Sequence, residues 1–327
     1  MTVLVTGGAG YIGSHTVRAL REQDREVVVL DSMEFGHRSA LLGAELVVGN
    51  IRDRALVTDL CESHGVMQVL HFAAYKAVGE SMEQPDRYWL NNVAGSVDLV
   101  EAVLAAGVRQ LVFSSSCSVN GTPATNPVTE DAPIHPESVY AETKAMVERI
   151  LGWYGTTHGL RAVSLRYFNA AGASTDGAIG EDWSRSQNLI PLVMKATLGK
   201  RPPVQVFGAD YPTADGTCIR DYIHIEDLAD AHVRALDYLV DGGATTALNV
   251  GTGIGSSVFD IIHATERVSG QTVPYEVVGR RAGDPVETYA DATKVTETLG
   301  WKATRTLDDV IESAWRWHSS HPDGMPD

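Results

Sequence analysis

The chain has 327 residues, 44% hydrophobic and 21% charged, the composition of an ordinary globular protein with room for two lobes. Its 42 acidic and 26 basic side chains give a formal net charge of −16, and no Lys/Arg block is present that could track a phosphate backbone, which argues against nucleic acid as a partner. Three scattered cysteines, Cys61, Cys117 and Cys218, indicate neither a disulfide framework nor a zinc site, and none of the 11 histidines falls in a metal-ligand pattern. The expectation is therefore no metal. With a first strand beginning at Val3 and no apolar run near the roughly 18 residues of a membrane span, the chain reads as cytoplasmic, without membrane association.

Short β-branched runs alternate with helical periodicity through the first half. Val3–Thr6, Glu26–Leu30, Glu45–Val48, Gln68–Phe72, Gln110–Ser114 and Arg161–Arg166 read as strands; Tyr11–Glu22, Ala55–His64, Asp86–Ala106 and Ser138–Thr157 read as helices. This predicts an α/β fold, a Rossmann-type doubly wound parallel sheet followed by a smaller C-terminal α/β lobe. The alternation fades near residue 170, where Gly, Ser, Asp and Pro accumulate. The expected division is 1–170 for a dinucleotide and 171–327 for a substrate, with a helix at Ile225–Val240 and a strand at Ala247–Val250 returning to the first sheet.

The first strand runs into Gly7, Gly10 and Gly13 at the start of a helix. Glycines at this spacing permit a tight turn and let a pyrophosphate approach free amides at a helix N-terminus. The next strand ends in Asp31, 18 residues beyond Gly13, placed to accept hydrogen bonds from an adenosine ribose and to repel a 2′-phosphate. That favours NAD over NADP. Farther on, Tyr140 and Lys144 stand four residues apart. On a helix this step turns through roughly 400°, so phenol and ammonium share a face. The spacing is common by accident; after a dinucleotide motif it reads as a tyrosine base, whose pKa of about 10 must be lowered by neighbouring positive charge. Ser114-Ser-Ser116 ends a strand at the side where such sheets hold ligands, which makes Ser116 a third catalytic candidate. His224 reads as structural.

These motifs resemble the extended short-chain dehydrogenase/reductases, and finer segments resemble the UDP-glucose 4-epimerase branch over essentially the whole chain. The segments are Val3-Leu-Val-Thr-Gly-Gly through Ile12-Gly-Ser-His-Thr16, Lys76-Ala-Val-Gly-Glu-Ser81, Leu165-Arg-Tyr-Phe-Asn169, Phe207-Gly-Ala-Asp-Tyr-Pro-Thr213, Asp215-Gly-Thr217, Arg220-Asp-Tyr-Ile-His224 and Arg280-Arg-Ala-Gly-Asp284. The resemblance implies an isomerase in which NAD stays bound and UDP-glucose and UDP-galactose interconvert through a 4-keto sugar nucleotide. It assigns Ser116, Tyr140 and Lys144 to catalysis. It assigns Gly7, Gly10, Tyr11, Ile12, Gly13, Asp31, Asn50, Ile51, Phe72, Ala73, Lys76, Asn91, Ser114 and Tyr167, besides Tyr140 and Lys144, to NAD. Around the UDP-sugar it implies Lys76, Ser116, Tyr140, Phe168, Asn169, Asn188, Leu189, Phe207, Arg220, Arg281, Asp284 and Thr288. A homodimer through the helices near Asp86–Ala106 and Ser138–Thr157 is also implied.

Five positions depart from the pattern: Asn50 replaces a carboxylate, Ala74-Tyr75 a Gly-Leu pair, Asn120 a ring, and Val139 a proline. Thr288 stands where a large tyrosine accompanies hexose-only enzymes, so room for an acetamido group is expected unless Tyr75 or Asn120 refills it. Rival readings are a pentose or uronate 4-epimerase and, from another class, a non-catalytic NAD sensor. A 4,6-dehydratase would need an Asp-Glu pair that Ser116-Cys-Ser118 lacks.

Overall fold

The computed structural model describes residues 1–325 except 185 and 282; Ala282, inside the Arg280–Asp284 segment, therefore lies outside the described residues. The first half of the chain builds β1 (Thr2–Thr6), β2 (Glu26–Asp31), β3 (Glu45–Val48), β4 (Val66–His71), β5 (Gln110–Ser114) and β6 (Arg161–Tyr167), all parallel. A seventh strand, Thr246–Val250, pairs with β6, giving the order Thr246–Val250, β6, β5, β4, β1, β2, β3. Chain order reverses between β1 and β4, the switch point at which such sheets open a ligand crevice at their carboxyl ends.

The strands are mostly apolar because helices cover both faces. Val3 and Val5 point to one side and join Leu20, Leu228 and Leu236 beneath helices Tyr11–Arg21 and Ile225–Val240. Leu4 points to the other, with Leu30, Val57, Leu99, Val103 and Leu151 beneath helices Arg54–Ser63, Gly95–Ala105 and Val139–His158. The single helix expected over Asp86–Ala106 is instead three pieces: Pro85–Tyr88, a π-helical turn Trp89–Ala94, and Gly95–Ala105. The wide turn accompanies an inward side chain. Asn92, 2% exposed, accepts from the Tyr75 N–H at 2.9 Å and donates to the Tyr75 carbonyl at 3.0 Å and to Thr143 Oγ1 at 3.2 Å.

Beyond β6, Asn169–Ala171 pairs with Ile219–His224, which is flanked by Gly255–Ser257 and Glu287–Thr288, while Val204–Phe207 pairs with Tyr275–Val278. Helices Leu189–Thr197, Val258–Ser269 and Leu307–Ser320 pack a third core through Ile190, Met194, Ile261, Ile262 and Ile311. His224 has a structural role here: it accepts from the Glu226 N–H, caps the helix Ile225–Val240, and meets Ser313 Oγ at 3.1 Å. Burial lowers its pKa to about 4, the Arg305 charge adding to the effect. Among the described residues no helix is long and apolar enough to cross a membrane, and no group of three or more His, Cys, Asp or Glu side chains could hold a metal ion.

The helix that carries Tyr140 and Lys144 is fastened to the sheet by a buried ion pair. Arg166 on β6 donates to Glu148 through Nε at 3.0 and 3.2 Å and Nη2 at 2.6 Å; the side chains are 8% and 11% exposed. Ser115 Oγ donates to the same carboxylate at 2.5 Å, and Arg166 Nη1 to the Glu130 carbonyl at 3.3 Å. Removing one partner of such a pair strands a buried charge, so Glu148→Ala is expected to lower unfolding free energy by about 3–5 kcal/mol. Urea denaturation measures this, and an unchanged midpoint would contradict it.

Candidate active site

β1 turns into its helix through Gly7, at φ +72°, where an added Cβ would lie 2.5 Å from Ala73 N. At Gly13 it would lie 2.4 Å from Gly7 O, whereas at Gly10 its nearest neighbour would be Gly7 O at 3.4 Å. Two glycines thus allow close packing, and the third leaves the turn open outward. The helix that follows has no side-chain cap and no acidic residue in its first turn. This cradle fits a dinucleotide pyrophosphate. Ile12 packs against the core below, and Tyr11 reaches across to the second lobe, its hydroxyl donating to the Gly172 carbonyl at 2.7 Å.

Asp31, 8% exposed, closes the end of β2 against this turn by accepting from the Ala9 and Met33 N–H groups, each at 2.9 Å. Those two bonds leave lone pairs on each oxygen for ribose hydroxyls. After β3, Asn50 Oδ1 accepts from the Arg52 N–H and Ile51 is buried beneath Gly95. After β4, the Phe72 and Ala73 N–H groups both donate to the Thr6 carbonyl, and the Phe72 ring lies 4.8 Å from that of His232. Asn91, in the π-helical turn, donates to Asn92 Oδ1.

At the end of β5 the catalytic candidates gather. Lys144 is buried, donates to the Ser114 carbonyl at 2.6 Å, and sits 4.8 Å from the Phe113 ring centroid and 5.9 Å from that of Tyr140. Ser114 Oγ donates to the Tyr167 hydroxyl at 3.0 Å, and Ser116 Oγ accepts from Ser118 N and Oγ at 3.2 and 2.9 Å. Burial raises the Tyr140 pKa, the Tyr167 phenol adds to the rise, and the bond with Ser116 opposes it. Burial also lowers Lys144 to about 7 against the pull of Glu148. Both shifts disfavour charge, as burial of an unpaired ionisable group does.

A second cluster lies on the other lobe. Arg281 grips Asp284 with two bonds, at 3.0 and 2.8 Å, and its guanidinium stands 5.3 Å from the Phe207 ring centroid. Arg220 donates to the Ile219 and Pro285 carbonyls and approaches Asp284 Oδ1 at 3.7 Å. Asn188 precedes the helix beginning at Leu189 without capping it and donates to Glu181 Oε1 at 3.2 Å; Lys76 Nζ is 3.7 Å from the same oxygen. Asn169 lies beside Tyr222 in the strand pairing. Between the clusters, Phe168 is buried with Val128 and Ala290, and Cys117 packs against them. Thr288 pairs with Arg220, and its hydroxyl is buried with no hydrogen-bond partner among the described residues.

Sequence reasoning missed Glu181, a 5% exposed carboxylate that gathers Lys76, Asn188 and Ser186. It stands in an irregular loop with no motif to mark it. The two residues considered able to refill the Thr288 space are both held by other partners. The Tyr75 hydroxyl is committed to Glu34 on the cofactor side at 2.7 Å, and the Asn120 amide donates to the Ala132 and Pro133 carbonyls.

The profile of the NAD dependent epimerase/dehydratase family matches residues 3–251. A UDP-glucose 4-epimerase of Lactobacillus helveticus is 44% identical over 100% of both chains. A crystal structure of UDP-glucose-4-epimerase from Stenotrophomonas maltophila, with bound NAD and formylated UDP-arabinopyranose, superposes with TM-score 0.96 at 43% identity, covering 98% of this chain and 99% of that one. The UDP-glucose 4-epimerase of Bifidobacterium longum in complex with NAD+ and UDP gives TM-score 0.93 at 38% identity, covering 99% and 100%. The chain belongs to the NAD dependent epimerase/dehydratase family, among its UDP-glucose 4-epimerases.

Proposed function

We propose that Ser116, Tyr140 and Lys144 carry out the NAD-dependent interconversion of UDP-glucose and UDP-galactose. In this reading residues 1–170, with 225–250, hold NAD, and the rest of 171–327 holds the UDP-sugar. The observation that carries it is the convergence of Tyr140, Lys144, Ser114, Ser116 and Tyr167 at the end of β5, within the same fold as the glycine cradle. The Gly7–Gly13 turn and Asp31 would hold NAD, which would supply a hydride acceptor and donor for carbon 4 of the sugar. Tyr140 removes the proton of the 4′-hydroxyl and gives it back, while Ser116 orients that hydroxyl. Lys144, anchored on the Ser114 carbonyl, adds its charge to the pocket when protonated. Arg220 and Arg281, both already oriented on Asp284, bind the diphosphate, and Phe207 packs beside the uracil. A uridine diphosphate held firmly leaves the 4-keto sugar free to turn.

Purified protein given UDP-galactose without added NAD is expected to yield UDP-glucose, and denaturation is expected to release NAD rather than NADP, since Asp31 would face a 2′-phosphate. Release of NADP, or no product from any UDP-hexose, would overturn the reading. In the same assay Tyr140→Phe should lower kcat by at least ~10²-fold with UDP binding retained, as expected for loss of a general base.

Thr288 extends the proposal to UDP-N-acetylhexosamines. The strand bearing it is fixed on both sides, through pairing with Arg220 and through Asn126, which donates to the Glu287 carbonyl and accepts from the Tyr289 N–H. A phenol there could not withdraw, and overpacking a fixed pocket costs about 1–3 kcal/mol. UDP-N-acetylglucosamine is therefore expected to be epimerised by the wild type, and Thr288→Tyr to suppress that activity while sparing UDP-galactose. Wild-type protein inactive on the acetamido sugar would refute the gate.

The enzyme is further read as a cytoplasmic homodimer. Trp153, 70% exposed, and Leu90, 51% exposed, stand on the two helical segments implied in dimerisation. Sedimentation velocity should give a dimer, and Trp153→Glu should shift it toward monomer; a monomeric wild type would end this part of the proposal.

A further inference from the structure

Two chain segments border the glycine turn. The one after β2 folds back over it: the His37 N–H donates to the Ala9 carbonyl at 3.1 Å, and Gly36 lies so near that an added Cβ would meet Ala9 Cβ at 2.6 Å. The one after β4 begins with Ala73, which abuts Gly7, and continues to Tyr75, whose backbone is gripped by the Asn92 amide. Side chains join the two segments. The Tyr75 hydroxyl donates to Glu34 Oε2 at 2.7 Å, and Arg87 donates to Glu34 Oε1. The Arg87 guanidinium also lies 4.0 Å from the Tyr75 ring centroid and 5.8 Å from that of Phe35, whose ring meets Tyr75 edge-on at 5.9 Å. Arg87 is tethered from behind by Glu80 at 2.5 Å, which in turn accepts from the Tyr88 hydroxyl at 2.8 Å.

We propose that Glu34, Tyr75 and Arg87 form a clasp joining the segments on either side of the cofactor cleft, and that opening it limits the rate at which NAD leaves. The inference rests on NAD lying along the Gly7–Gly13 turn with its ribose at Asp31. Asp31 ends β2 three residues before Glu34, and Lys76, implied in NAD binding, directly follows Tyr75. Ligand departing past these segments must part them, which separates the Arg87–Glu34 ion pair and lifts the guanidinium off the ring. The reaction gives retention a purpose. A hydride taken from one face of the sugar must be returned to the other, so a reduced cofactor lost midway ends the cycle with a 4-keto product.

The test is exchange of bound NAD against labelled NAD in excess, followed by gel filtration at intervals in low and high salt. Arg87→Met is expected to release NAD about tenfold faster than wild type at low salt, the combined worth of one partly shielded ion pair and one cation–π contact. Salt should speed exchange in the wild type and leave Arg87→Met nearly unchanged, a signature that a merely structural role for Arg87 would not produce. Tyr75→Phe, which removes one hydroxyl and keeps the ring, should speed exchange by a few-fold and serves if Arg87→Met does not fold. Equal exchange in wild type and folded variants, or a wild-type rate insensitive to salt, would overturn the clasp alone. A wild-type protein that retains no dinucleotide would overturn the cofactor reading beneath it as well.

Discussion

The buried pair between Arg166 and Glu148 ties the helix that carries Tyr140 and Lys144 to the central sheet. It joins the interior of β6 to the catalytic helix one turn beyond Lys144, and its carboxylate also takes the hydroxyl of Ser115, next to Ser114 and Ser116. One carboxylate therefore links three elements: β6 through Arg166, the end of β5 through Ser115, and the helix one turn beyond Lys144. The network continues to Glu130, whose carbonyl accepts from Arg166 and whose carboxylate accepts from the Asn249 N–H at 2.7 Å on the returning strand. Polar groups this deep are costly unless every bond is made, and here they make them with each other.

Around that anchor the fold supplies desolvation more than charge. Tyr140 and Lys144 lie in a pocket whose burial pushes both toward neutrality, and the nearest acceptor for the ammonium is an uncharged carbonyl. A phenolate there carries the cost of burial without an opposite charge beside it.

Much of this was legible in the sequence for identifiable reasons. Parallel strands covered on both faces leave unbroken apolar runs, glycines at a turn leave a spacing, and residues one helical turn apart share a face. Phe207, Arg220 and the Arg281–Asp284 pair could be grouped only by resemblance, because these three places are distant in sequence and meet through strand pairing and an irregular loop. Glu181 had no local signature. The π-helical turn at Trp89–Ala94 was hidden because its cause, Asn92 reaching Tyr75, is a tertiary contact that helical periodicity cannot register. Tyr75 and Asn120 were visible as departures, yet their directions were set by partners elsewhere, Glu34 for one and the Ala132–Pro133 carbonyls for the other.

The strand Thr246–Val250 completes the first sheet only after the chain has travelled through much of the second lobe. During synthesis β6 emerges long before its outer neighbour, and the 79 positions from Tyr167 to Thr246 take about 4–16 s at a typical ribosomal pace. Through that interval one side of an apolar parallel strand has no hydrogen-bonding partner of its own chain. A chain halted near residue 170 would therefore lack the strand that covers the outer edge of β6.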